Sequence, residues 1–183
     1  MTAWDAARAC AFVALAAYTL AICWGILLSA RAWRPAAAQL VFHRFLSMLG
    51  LVAVCIHVSL LFTDRYARLS WKSLIGVDHR VGVVAGAVAL WLVVVLPLTF
   101  RLRTRKLISH RTWRAIHYLG YAAWGLAVIH GALTGSDTRS PYALGVYGGA
   151  VALVCASAWW RWSPPAQTAA RRRLVADGDA GSR

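Results

Sequence analysis

Five runs of about twenty apolar residues constrain this chain more than any other feature. They lie at residues 9–30, 40–62, 81–100, 113–133 and 142–160. A run of that length crosses the hydrocarbon core of a bilayer as a helix, because lipid offers the backbone no hydrogen-bond partner and a helix supplies its own. The sequence therefore predicts an all-α integral membrane bundle of five transmembrane helices. Five spans use roughly 100 residues, so a chain of 183 residues has no room for a second domain of ordinary size. Residues 1–162 read as one transmembrane domain, and residues 163–183 as a basic, disordered cytoplasmic tail with Pro164-Pro165 and Arg171-Arg172-Arg173. The first run is longer than the ~7–15 residues of a signal peptide, and Asp5 and Arg8 give no basic leader. Although Ala30-Arg31-Ala32 resembles a cleavage site, a retained helix is expected.

Charge follows the same plan. The formal net charge of +14 would suggest nucleic acid as a partner in a soluble protein. Here the basic residues flank apolar runs, where topology and anionic lipid explain them and nucleic acid is not needed. With the N-terminus outside, the inner segments hold 14 Lys and Arg against 6 in the outer ones. The positive-inside rule then gives a multi-pass protein of the cell membrane, N-terminus outside and C-terminus cytoplasmic. Most tryptophans fall near the ends of the runs, as in an interfacial belt, while Trp91 and Trp124 are mid-span and read as packing residues. Gly145 and Gly149, four apart, would allow close helix approach. Cys10, Cys23, Cys55 and Cys155 each lie inside an apolar run, without disulfide or zinc spacing.

Ionisable residues inside a bilayer are costly and usually functional. His43 and His57 share the second run, and His117 and His130 share the fourth. With one helix between them, those two runs point the same way. His43 and His117 then lie near the inner face, and His57 and His130 near the outer face. The two levels are roughly 20 Å apart at ~1.5 Å per residue. Two histidines at one depth on neighbouring helices can ligate one heme iron from both sides, so the pairs predict two hemes stacked through the membrane. No Cys-x-x-Cys-His is present to attach them, so the hemes would be b-type. The rotation is less simple. A spacing of 14 brings His57 within about 40° of His43, but a spacing of 13 turns His130 about 140° from His117. Gly120, Gly125 and Gly131 are places where that helix could bend. His79 and His110 sit in polar loops and read as solvated.

Heme propionates require cationic partners. Arg44, Arg111 and Arg114 are placed for the inner heme, and Arg65, Arg68, Arg80 and Arg139 for the outer one, with Arg44, Arg114 and Arg80 the foremost candidates. Taken singly, each is better explained by topology or lipid headgroups.

The sequences His43–His57 and His117–His130 also resemble one another, each with Gly-Leu shortly before a final Ile-His. His-x13-His on one helix and His-x12-His on another resemble the ferric-reductase-like transmembrane domain family. That family includes the membrane parts of ferric reductases and NADPH oxidases and the heme subunit of the bacterial periplasmic methionine sulfoxide reductase. Trp113-Arg114-Ala115-Ile116-His117, with Tyr121, is similar to the family's Trp-Arg-x-x-His-x-x-x-Tyr, and His130-Gly131 followed by Gly135-Ser136-Asp137 to its His-Gly-x-x-x-Gly-Thr-Asp. The resemblance covers residues 40–138 and implies transmembrane electron transfer through two hemes ligated by His43, His57, His117 and His130. Two features depart from the family. Many members have six helices, and no flavin or nicotinamide domain, nor a Gly-x-Gly-x-x-Gly after a strand, is found here.

The expected function is thus an oxidoreductase component. Electrons would enter from a separate flavoprotein or from quinol on the cytoplasmic side and leave to ferric iron, oxygen or a periplasmic redox protein outside. A transport or assembly protein using the histidines as a proton relay, without heme, is the alternative. A heme sensor or carrier would need an exchangeable axial position, which two histidines per iron close.

Overall fold

The computed structural model describes residues 2–29, 37–64, 67 and 69–163. Among them every regular element is a helix. In chain order these are α1 (Ala3–Ser29), α2 (Ala37–Thr63), α3 (Trp71–Leu74), α4 (Val81–Thr104), α5 (His110–His117), α6 (Leu119–Thr134) and α7 (Pro141–Trp162). Apart from Ser163, the expected tail lies outside the described residues, as do Arg65 and Arg68.

Local sequence sets several helix starts. Thr2 and Asp5 close a reciprocal box: the Asp5 carboxylate accepts from the Thr2 N–H at 2.9 Å, and Thr2 Oγ1 accepts from the Asp5 N–H at 3.2 Å. Ser109 caps α5 by accepting from the Thr112 N–H at 3.1 Å. Ser140 caps α7 in the same way through Ala143, and Pro141 occupies the first helical position, where its missing N–H costs nothing.

Four helices, α1, α2, α4 and α7, are long and apolar enough to cross a membrane. Large apolar side chains such as Val41, Phe45, Leu98 and Leu144 point outward from them, as lipid-facing residues do. The buried residues are mostly small: Ala7, Ala14, Ala17 and Ala21 on α1, and Ala85, Ala87 and Ala89 on α4. Small side chains let backbones approach closely, which replaces the hydrophobic drive missing in lipid. α1 packs along α2 and also meets α7 and α6, while α4 packs along α6. Gly145 and Gly149 do not make the close approach expected of them, since among the described residues no other part of the chain comes within 4 Å of where a Cβ would stand. The tight approaches fall elsewhere, at Gly50 against Tyr18 and at Gly86 against His130.

The apolar run at 113–133 is not one continuous helix. It divides at Tyr118 into α5 and α6, and α6 has 16 residues, about 24 Å of rise. The Tyr121 N–H bonds the Tyr118 carbonyl three residues back at 3.1 Å, a tighter turn than α-helix. One such turn adds about 20° per residue, small against the roughly 140° that separates His117 and His130 on a straight helix; the two histidines still meet their α2 partners on either side of the break. The break is next to Gly120, not at Gly125 or Gly131.

The segment between α2 and α4 also carries structure. Trp91, expected as a packing residue, is half-exposed and donates its indole N–H to the Leu74 carbonyl at 2.8 Å. Trp91 lies ten residues into α4, so α3 folds back alongside that helix instead of standing clear of it.

Candidate functional site

α2 is not packed closely on α6. Between them and the flanking helices runs a cavity of about 1990 Å³, lined by His43, His57, His117 and His130. The histidines meet across it in two pairs. His43 and His117 have ring centroids 6.1 Å apart at 66°, and His57 and His130 lie 6.3 Å apart at 80°. This juxtaposition is the one expected, and it requires α2 to run in the same direction as α5 and α6. Along α2 the two levels are separated by fourteen residues, about 21 Å.

Neighbouring backbones orient the rings. His43 Nδ1–H donates to the Ala21 carbonyl at 3.0 Å, and His57 Nδ1–H to the Ala7 carbonyl at 2.8 Å. α1 thus serves both α2 histidines, with acceptors fourteen residues apart matching donors fourteen apart. His130 Nδ1–H donates to the Gly82 carbonyl of α4 at 2.8 Å. A carbonyl only accepts, so the proton must sit on Nδ1, and Nε2 is left with its lone pair available. His117 is held differently, by stacking on Trp113 at 5.1 Å and 22°. Glycines make room for the rings. A Cβ on Gly86 would stand 2.5 Å from His130 Nδ1, and one on Gly25 would stand 3.4 Å from His43 Cε1.

No family model, curated protein or solved structure matches this chain. What the site can do is therefore argued from its own geometry. Among the described residues no three or more His, Cys, Asp or Glu side chains gather to hold a bare metal ion. Each level brings two imidazole rings together.

The candidate arginines separate into groups. Arg44 lines the cavity and lies over the Phe100 ring, 4.7 Å from its centroid. Arg114, one turn before His117, also lines it, whereas Arg111 and Arg139 are exposed and do not. Arg80 lines the opposite end, but its fork is taken by Asp78: Nε meets Oδ1 at 3.0 Å and NH2 meets Oδ2 at 2.9 Å. Those bonds, with a further one from Ser73 Oγ at 2.8 Å, hold the Asp78 carboxyl well below the usual carboxylate range. His79 is fully solvated, as expected, but His110 begins α5 and stacks on Trp113. Sequence reasoning did not single out Arg8, Arg101 or Arg161, which also line the cavity. Arg8 is paired with Asp137 and bonds the Tyr142 hydroxyl at 2.6 Å. The carbonyls of Ala7, Ala21 and Gly82 leave no trace in residue type. The glycine at position 86 was a legible signal that was not read.

Proposed function

We propose that this protein carries electrons across a membrane through two b-type hemes, one held by His43 and His117 and the other by His57 and His130. The observation that carries the reading is the spacing of the two imidazole pairs. An imidazole–metal bond is about 2.0–2.1 Å, and half an imidazole ring adds ~1.1 Å on each side, so two rings sharing one metal have centroids about 6.3 Å apart. The separations of 6.1 and 6.3 Å agree. A porphyrin brings four in-plane nitrogens and leaves two axial positions, which suits a site of two histidines and no third ligand. Metal-bound histidines commonly donate their second nitrogen to a backbone carbonyl, and three of these four do so. The cavity is about twice the ~1,000 Å³ upper range of a single small-molecule site, room for two large groups.

In this reading α5 and α6 together make the fifth crossing, the N-terminus lies outside and the His43 end faces the cytoplasm. The motif resemblance to the ferric-reductase-like transmembrane domain family supports the same assignment. Bound heme would supply a one-electron couple at each level. The chain's own residues fix its setting. Carbonyls of α1 and α4 hold the histidine tautomers and raise ligand basicity. Arg44 and Arg114 offer cations to inner propionates, and Arg80, already matched to Asp78, gives the outer level a neutral pair. A proton relay would need polar groups linking the two levels, and the Nδ1 protons are instead tied to carbonyls. Cytoplasmic flavin or quinol is the proposed donor, and ferric iron, oxygen or a periplasmic redox protein the acceptor.

Paired substitutions test the ligand assignment. His43→Ala with His117→Ala should leave one heme per chain, as should His57→Ala with His130→Ala. His43→Ala with His57→Ala breaks both sites and should leave none. Equal loss from all three double variants, each still folded, would refute the pairing.

A further inference from the structure

Three rings on one face of α5 form a column. His110 stacks on Trp113 with centroids 5.4 Å apart at 30°, and Trp113 stacks on His117 at 5.1 Å and 22°. Residues 110, 113 and 117 form one helical stripe. His110 and His117 are both exposed, and His117 faces His43 across the cavity, so the column runs along α5 from its first residue to the proposed inner ligand pair. The Trp113 Nε1 is buried with no hydrogen-bond partner, so this residue is present for its ring and not for its N–H.

The turn beside the column is unusual. Lys106 has φ of 59°, a conformation that favours glycine. Its N–H bonds the Arg103 carbonyl at 3.0 Å, and the Leu107 N–H bonds the Leu102 carbonyl at 3.0 Å, the paired bonds of a helix ended by a left-handed residue. In that motif the residue at position 107 normally packs back on its helix, but Leu107 is 67% exposed. Backbone strain is thus accepted in order to present Lys106 and Leu107 outward. Arg105 and Arg111 are exposed around them. Basic and apolar side chains are thus presented together, next to the ring column.

We propose that the α4–α5 turn docks an electron-donor protein with an acidic face, and that the electron reaches the inner pair through His110, Trp113 and His117. This rests on the electron-transfer reading above. The donor's reduced flavin gives up one electron, and the ferric iron held by His43 and His117 becomes ferrous. No bond forms or breaks.

The test uses the full chain with its hemes in nanodiscs of zwitterionic lipid, and reduced flavodoxin as an acidic flavoprotein probe. Heme reduction is followed by stopped flow. The rate should fall steeply as salt rises from ~0.05 to ~0.5 M. Arg105→Glu with Lys106→Glu should slow it about tenfold or more, the scale of lost electrostatic steering. Trp113→Leu should slow it even at saturating probe, with the rate taken per bound heme and compared at matched driving force, and Trp113→Phe should restore most of the rate. A wild-type rate in the charge-reversed variant, or in Trp113→Leu, would overturn the proposal. So would a charge-reversed variant that loses only its affinity for anionic vesicles, which would make the turn a lipid anchor. The charge reversal lies on an exposed turn away from the ligands, so it remains informative if Trp113→Leu misfolds. Heme counted before each run separates failure of the heme reading, with none bound, from failure of the docking proposal, with two bound and rates unaltered.

Discussion

Gly86→Ala should remove one heme and leave the other. The added Cβ would stand 2.5 Å from His130 Nδ1, 2.7 Å from Cε1 and 2.8 Å from Cγ. Ordinary carbon contacts need about 3.5 Å or more, so the ring must retreat by about 1 Å. The Nδ1–Gly82 carbonyl bond, now 2.8 Å, would then stretch beyond hydrogen-bonding distance. Overpacking of this kind costs about 1–3 kcal/mol, and a His130 Nδ1–H left without its acceptor about 1–3 kcal/mol more. The better helix propensity of alanine returns up to ~1 kcal/mol. Taken at mid-range, a net loss of about 3 kcal/mol at the His57–His130 level is roughly a 150-fold loss of heme affinity. Gly25→Ala is the matched control. Its Cβ would meet His43 Cε1 at 3.4 Å, close to an ordinary contact, and both hemes should stay. Gly125→Ala, with nothing within 4 Å, should be silent. The assay is pyridine hemochrome per chain, with the redox-difference spectrum to identify the heme that remains. Two hemes with wild-type spectra in Gly86→Ala would refute the geometry, as would heme loss in Gly25→Ala alone.

Other perturbations test separate parts of the account. Trp124 donates its indole N–H to the buried Thr19 hydroxyl at 2.9 Å, tying α6 to α1; Thr19→Val should lower thermal stability in detergent by about 1–3 kcal/mol, and Thr19→Ser should restore it. Asp78 is held ionised in the folded loop, so its contribution is present above the unfolded carboxyl pKa of about 3.9 and is lost as pH falls through its lower folded value. Limited proteolysis of residues 69–80 should therefore accelerate in Asp78→Asn at pH 7, and in the native protein only in strong acid. NADPH alone should leave the hemes oxidised, while dithionite reduces them, as absorbance at the ferrous α band will report. His57→Ala should keep the inner heme reducible by an inner-side donor but stop delivery to an outer acceptor; failure of the inner heme to reduce in that variant would reverse the direction of flow.

Much of the architecture was legible because lipid imposes length and composition on a span. Residues 9–30, 40–62, 81–100 and 142–160 correspond to α1, α2, α4 and α7. The pairing of His43 with His117 and His57 with His130 followed from helix direction alone. The helix break was not legible: nothing in the composition of residues 113–133 marks Tyr118, where a three-residue bond interrupts the α-helical pattern. Nor was the hold on the rings, because the acceptors are carbonyls of alanine and glycine, and any residue type carries a carbonyl. The fold-back of α3 depends on Trp91 reaching Leu74, a contact between two apolar residues with no special spacing. Gly145 and Gly149 show the converse, a recognisable pattern with no close partner among the described residues.

The central claim is that the two imidazole pairs each share one iron. Heme quantification on purified protein expressed with ample heme tests it most directly, combined with a dithionite-minus-oxidised spectrum. The account predicts about two extractable b hemes per chain, with the spectrum of six-coordinate, bis-histidine iron. A value near zero, in protein that remains folded and helical, would contradict it.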